Sequence, residues 1–146
     1  MDRFRVPGWS RGVSVKVNGV EQNVSSKPET WAVIARAWQP GDQVGIRIPL
    51  PLMRKRVDEQ HPNRVAIMRG PVVLVQEGGA HFPLPLVPEK EADLEKWLAP
   101  EETPGVFRIF PQDDVPVRGN FLPFCMVKEV RPYRMYFDPA LRRGLW

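Results

Sequence analysis

Proline limits what this chain can fold into. Seventeen prolines are spread from Pro7 to Pro139 over 146 residues, roughly twice the average frequency. Inside a helix each one removes a backbone donor, clashes with the preceding turn and costs about 3 kcal/mol. Long helices are thereby excluded, and short strands joined by proline-punctuated loops remain. Hydrophobic residues make up 42% of the chain and charged ones 26%, close to ordinary globular composition. A chain of this length buries a core without staples, so residues 1–146 are read as one domain. The single cysteine allows no intramolecular disulfide and no multi-cysteine zinc site. No stretch approaches the roughly 18 apolar residues of a membrane span. The N-terminal residues Met1 to Trp9 lack the apolar run of a secretory signal, and neither observation assigns a compartment.

Periodicity places the strands. Val13, Val15 and Val17 alternate with Ser14 and Lys16, the period-two pattern of a half-buried strand. Asn18-Gly19 follows, a dipeptide that accepts positive φ at both central positions of a type I′ hairpin turn, and a return strand runs from Val20 to Val24. Trp31 to Trp38 is rich in β-branched and aromatic residues and reads as a strand. Gln39-Pro40-Gly41-Asp42 is turn chemistry. It leads into a strand in which Val44, Ile46, Ile48 and Leu50 share one face, expected to be buried with the Val13/Val15/Val17 set. Residues 54–64 read as a charged loop. Arg64–Arg69 and Pro71–Gln76 then form two strand-like runs split by Gly70, the second apolar on both faces and expected to lie centrally.

The stretch 77–104 is a long excursion punctuated by Pro83, Pro85 and Pro88. Within it, Glu89 to Leu98 reads as the one helix, with acidic residues in its first turn and Leu94, Trp97 and Leu98 on one face. Strand-like pieces return at Val106–Phe110, Phe121–Val127 and Tyr133–Phe137. The fold expected is all-β, a jelly-roll-like β-sandwich with one short helical insertion.

The net charge is +4, with the basic excess in residues 1–78. Arg54-Lys55-Arg56 is the only tight basic cluster, and Asp58-Glu59 offsets it at once, so a solvated loop is expected over a phosphate-binding patch. No catalytic constellation is evident. His61 and His81 fall in predicted loops, neither at i, i+4 from another ligand type, and although Asp58 or Glu59 could join them, no metal site is expected. Cys125, in the apolar run Phe121–Val127, is expected to be buried as a small hydrophobe. The acidic pairs Asp58-Glu59, Glu101-Glu102 and Asp113-Asp114 would point to opposite faces of a strand, unlike the carboxylates of a glycosidase, held about 5–9.5 Å apart across a sugar. No phosphate-cradling loop, dinucleotide fingerprint or nucleophile elbow is present. Five tryptophans, Trp9, Trp31, Trp38, Trp97 and Trp146, offer indole faces that complement a pyranose, although most tryptophans serve cores or interfaces. Trp9, Trp31 and Trp38 are the candidate carbohydrate-binding residues.

Four segments occur in order: Phe4-Arg-Val-Pro-Gly-Trp9, Val15-Lys-Val-Asn-Gly19, Ala37-Trp-Gln-Pro-Gly-Asp42 and Val65-Ala-Ile-Met-Arg-Gly-Pro71. Together they closely resemble the region that follows the catalytic barrel in glycoside hydrolase family 127, typified by β-L-arabinofuranosidases. Phe121–Val127 and Tyr133–Asp138 resemble the end of the same sandwich. The resemblance implies catalysis in an N-terminal (α/α)-barrel, by a zinc-bound cysteine thiolate held among several cysteines and a glutamate. Nothing here represents that barrel, and no catalytic role carries over to Cys125. It thus implies a non-catalytic accessory domain with no cofactor, partnered by a glycosidase barrel in cis or in trans. Further candidate partners are a second copy of the chain and an oligosaccharide, the latter if the domain is instead a carbohydrate-binding module. Neither membrane nor nucleic acid is an expected partner.

Overall fold

The strands are short, and turn residues mark where each one stops. The computed structural model describes residues 2–78, 85, 87–110, 119–129 and 131–138. His81, the pair Asp113-Asp114 and Trp146 lie outside them. The chain divides into two compact units, Met1–Pro51 and Leu52–Trp146.

In the first unit β1 (Asp2–Arg5) and β4 (Trp31–Ile34) form an antiparallel ribbon, and β2 (Ser14–Val17) lies between β3 (Val20–Gln22) and β5 (Val44–Arg47) in a second sheet. Asn18 and Gly19 join β2 to β3 with φ of 51° and 81°, the positive pair that the hairpin turn demands. Pro40-Gly41 forms the next turn. Gly41 sits at φ 94° and the Asp42 amide donates to the Gln39 carbonyl, as in a type II turn. Val15, Val17 and Ile34 form the core of this unit, with Phe4, Val24 and Trp38 packed against it. The two sheets thus meet face to face.

Burial of the Val44 set differs from expectation. Val44 and Ile46 lie opposite Val17 and Val15, so they share the face predicted for them. Val15 and Val17 are 0% and 1% exposed, yet Val44 and Ile46 remain 43% and 44% exposed. The reason is position: β5 is an edge strand, and cover extends only over the middle strand. Val20, opposite Val17 on the other flank, is likewise exposed.

Among the described residues the second unit is one sheet of eight strands. They are β6 (Leu52–Arg56), β7 (Val65–Arg69), β8 (Val72–Glu77), β9 (Leu98–Pro100), β10 (Phe107–Ile109), β11 (Asn120–Pro123), β12 (Tyr133–Arg134) and β13 (Tyr136–Phe137). The main path runs β13-β7-β8-β11-β10-β9, with β6 also on β7 and β12 also on β8. β8 is central, as its two apolar faces predict. The segment expected as a charged loop begins as strand, since Arg54 to Arg56 belong to β6 and Leu52 to Arg56 pairs in register with Arg69 to Val65.

The predicted helix is shorter than its pattern. A 3-10 turn at Glu91–Asp93 leads into α1 (Leu94–Trp97). Leu98 is already extended because it pairs with Ile109 at the sheet edge. Leu94, Trp97 and Leu98 nevertheless enter the core together, beside Leu52, Val65, Ile67, Leu74, Phe107, Phe121 and Phe137. The Trp97 and Phe121 rings meet edge to face at 5.4 Å, a favoured aromatic geometry. The fold is all-β and sandwich-like, with one short α-helix among the described residues.

Candidate functional site

The candidate tryptophans all fall in the first unit but play different parts. Trp31 opens β4 and is 54% exposed. Register puts Arg5 opposite Trp31 and Arg3 opposite Val33, so these four side chains share the outer face of the ribbon. The Arg3 guanidinium lies 5.0 Å from the Trp31 ring centroid, within cation–π range. Trp38 is half-buried against the small core. Arg36 stacks on its ring at 5.2 Å, and its buried indole N–H has no acceptor. Trp9 is half-buried in the turn after β1. Among the described residues no ring contact joins any two of the three.

The second unit holds a cleft that the sequence did not announce. It has a volume of about 340 Å³ and is lined by Arg54, Arg56, Asn63, Val65, Glu89 and Glu91, with Pro62 at its side. Strand geometry explains its arginines. Arg54 and Arg56 pair with Ile67 and Val65, which are 0% and 5% exposed, and directly opposed residues share a face. Both arginines therefore continue the core-facing row begun by Leu52, whereas Lys55, opposite Ala66, points the other way. The basic cluster is thus divided between two faces and makes no single phosphate-binding stripe. The Arg54 main-chain N–H donates to Glu91 Oε1 at 3.0 Å. Its side-chain Nε is buried without an acceptor, a state that costs about 1–3 kcal/mol while unmet.

Other expected residues are placed plainly. Cys125 is exposed, not buried. Pro123 ends β11, and the chain turns through a 3-10 segment at Phe124–Met126 instead of continuing as a buried strand. Asp58 accepts from the His61 amide at 2.7 Å and contacts His61 Nδ1 at 2.8 Å. The His61 side-chain hydrogen bond leads in holding the Asp58 carboxyl below the usual range, the His61 and Gln60 amides and the His61 charge add to it, and desolvation opposes them. Asp58 is thus committed to closing its own turn. Among the described residues no three His, Cys, Asp or Glu side chains gather as a metal-binding group. Nor is any described helix long and apolar enough to cross a membrane.

Residues 3–50 match the family model described as the GH127 middle domain of β-L-arabinofuranosidase. The chain resembles a GH127 middle domain. Solved structures agree at the level of fold. One, titled a glycoside hydrolase, superposes with a TM-score of 0.58 at 20% identity, over 93% of this chain and 27% of its own. A second is Ara127N-Se, a GH127 β-L-arabinofuranosidase from Geobacillus stearothermophilus T6, with a TM-score of 0.56 at 20% identity, over 93% of this chain and 26% of its own. This GH127-like middle domain thus spans about a quarter of the length of those two proteins. No curated relative matches it.

Proposed function

We propose that the chain is a non-catalytic accessory domain that seats beside a glycosidase catalytic barrel, in cis or in trans, and helps assemble it. The observation that carries this reading is the match of residues 3–50 to the GH127 middle domain. The first unit supplies a physical reason for a partner: Val20, Val44 and Ile46 form apolar flanks on a sheet covered only along its middle strand. Such surface seeks burial, so the isolated chain is expected to self-associate. A clean monomer at high concentration in sedimentation velocity would count against a docking role.

Activity is the direct test. A catalytic zinc site needs about three protein ligands and an open position, and the described residues bring no such set together. Chromogenic arabinofuranosides and pyranosides, with and without added zinc, are expected to show no turnover. Hydrolysis that disappears in Cys125→Ala would overturn the reading.

A second reading, a carbohydrate-binding module, is favoured only by the exposed indole of Trp31. Trp9 and Trp38 would assist it from the same unit. Tryptophan fluorescence titrated with plant-type oligosaccharides separates the two. A saturable shift that is lost in Trp31→Ala supports the module, and an unchanged spectrum leaves the accessory role.

A further inference from the structure

The β3-β2-β5 sheet of the first unit has two edges, and they are finished differently. The Asn18 amide donates to the Gln43 carbonyl at 2.9 Å, which sets the phase of the β2–β5 ladder. Main-chain groups alternate in direction along an antiparallel pair. Gly45 and Arg47 therefore bond to Lys16 and Ser14, while the N–H and C=O groups of Val44 and Ile46 point away from β2. Among the described residues no other strand pairs with β5, so that row is open. At the opposite edge the same phase turns Glu21 of β3 outward, and its carbonyl accepts from Gln22 Nε2 at 3.3 Å. β3 thus carries its own plug and β5 carries none. A bare edge is a template for another strand, usually guarded by charge or proline. The run Gln43 to Ile48 has no proline and one charge, Arg47.

We propose that β5 pairs antiparallel with β5 of a second copy of the chain, about a two-fold axis through Ile46. Outward-facing residues must meet one another, so Ile46 pairs with its own counterpart and Val44 with Ile48. Arg47 then lies opposite Gly45, where an added Cβ would meet only the Lys16 carbonyl, at 3.9 Å. A slip by two residues in one direction sets Arg47 on Arg47, and directly opposed like charges are unfavourable. In the other direction it sets Ile48 on Asp42, whose carboxylate is already held by Asn18 and Gln39. Only the register centred on Ile46 keeps Val44, Ile46 and Ile48 on apolar neighbours. They stand on the side of the sheet that carries Val15 and Val17, so pairing makes one continuous apolar face. A contact one strand wide is small, and the dimer is expected to be weak and reversible. The inference specifies how the self-association expected of the isolated chain occurs, and it requires no barrel.

Sedimentation velocity of the full chain over a concentration series is expected to show a reversible monomer–dimer equilibrium. Ile46→Pro removes one outward donor without touching the β2 ladder, at a position where an edge strand tolerates proline. It is expected to give a monomer at concentrations where the parent is mostly dimer, with the remaining amide spectrum unchanged. Ile46→Lys sets two cations face to face and is expected to do the same without constraining the backbone. Val20→Lys, the matching change at the plugged edge, is expected to leave the dimer intact. Register is read by oxidative cross-linking in a Cys125→Ser background. Ile46→Cys is expected to give a disulfide dimer, since the opposed Cα atoms stand about 5.5 Å apart. Val44→Cys is not, because its two copies lie about 14 Å apart, four residues along the strand. A chain that stays monomeric at millimolar concentration overturns the proposal and counts against docking as well. A dimer that survives both Ile46 changes, dissolves on Val20→Lys, or cross-links through Val44→Cys overturns the edge pairing alone and leaves the accessory-domain reading untouched.

Discussion

Asp42 shows how much one side chain organises in the first unit. Its Oδ1 accepts from Asn18 Nδ2 at 2.6 Å, its Oδ2 accepts from the Gln39 amide at 3.0 Å, and Arg36 Nη2 approaches to 3.2 Å. Asn18 in turn accepts from the Gln43 amide, so the β2–β3 hairpin is tied to the turn before β5. The hydrogen bonds from the Gln39 amide and the Asn18 side chain, with a lesser part from the Arg36 charge, hold the Asp42 carboxyl below its usual range against desolvation. A carboxyl whose folded pKa is depressed contributes stability that is full above its unfolded pKa, near ~3.9, and is lost as pH falls through the lower folded value. Asp42→Asn is therefore expected to lower the melting temperature at pH 7 and to flatten its fall at acid pH, below the ordinary aspartate range. Parallel acid limbs for the two proteins would refute the assignment. The sequence showed Asn-Gly and Pro-Gly-Asp as turns but not their mutual contact, which spans 24 residues. Cys125 and Arg54 were misread for a related reason. Burial of a side chain depends on where its strand ends and which face its neighbour covers, and neither is local.

At the scale of elements, runs with a strong pattern were legible and weakly patterned ones were not. β7 and β8 follow from Val65-Ala-Ile-Met and Val72-Val-Leu-Val, with Gly70 at φ 56° turning between them. β1 is Asp-Arg-Phe-Arg and β6 is Leu-Met-Arg-Lys-Arg. Their charges suggest solvent, and only pairing with β4 and β7 makes them strands. The insertion at 89–98 was read correctly for its apolar face and wrongly for its length, because the demand of β10 for a partner takes Leu98 out of the helix. A helix of one turn has little stability of its own, so α1 persists because it packs Leu94 and Trp97 into the core. Trp97→Ala removes the ring that meets Phe121 and is expected to destabilise the second unit by about 3–5 kcal/mol. Urea unfolding monitored by far-ultraviolet circular dichroism measures it. A loss below about 1 kcal/mol, the scale of an ordinary surface change, would mean that the helix is peripheral to the core.

For the whole molecule, the two cores differ in size, and that difference sets which part can stand alone. The second unit encloses a cluster of twelve buried side chains from seven of its strands, its helix and Val87. The first has three, with three more partly covered, in a unit of 51 residues. Domains near this size are marginal without disulfides or metals, and neither is available from one cysteine and scattered ligands. Its exposed Val20, Val44 and Ile46 reduce the apolar burial further. We propose on this ground that residues 1–146 behave as one domain in which the first unit depends on being joined to a larger body. Residues 52–146 expressed alone are expected to give a dispersed amide spectrum and a cooperative melt. Residues 1–51 alone are expected to give collapsed amide dispersion and no melt. Dispersed resonances from the isolated 1–51 segment would show that the small core suffices, and would remove the physical reason for a docking partner at its apolar flanks.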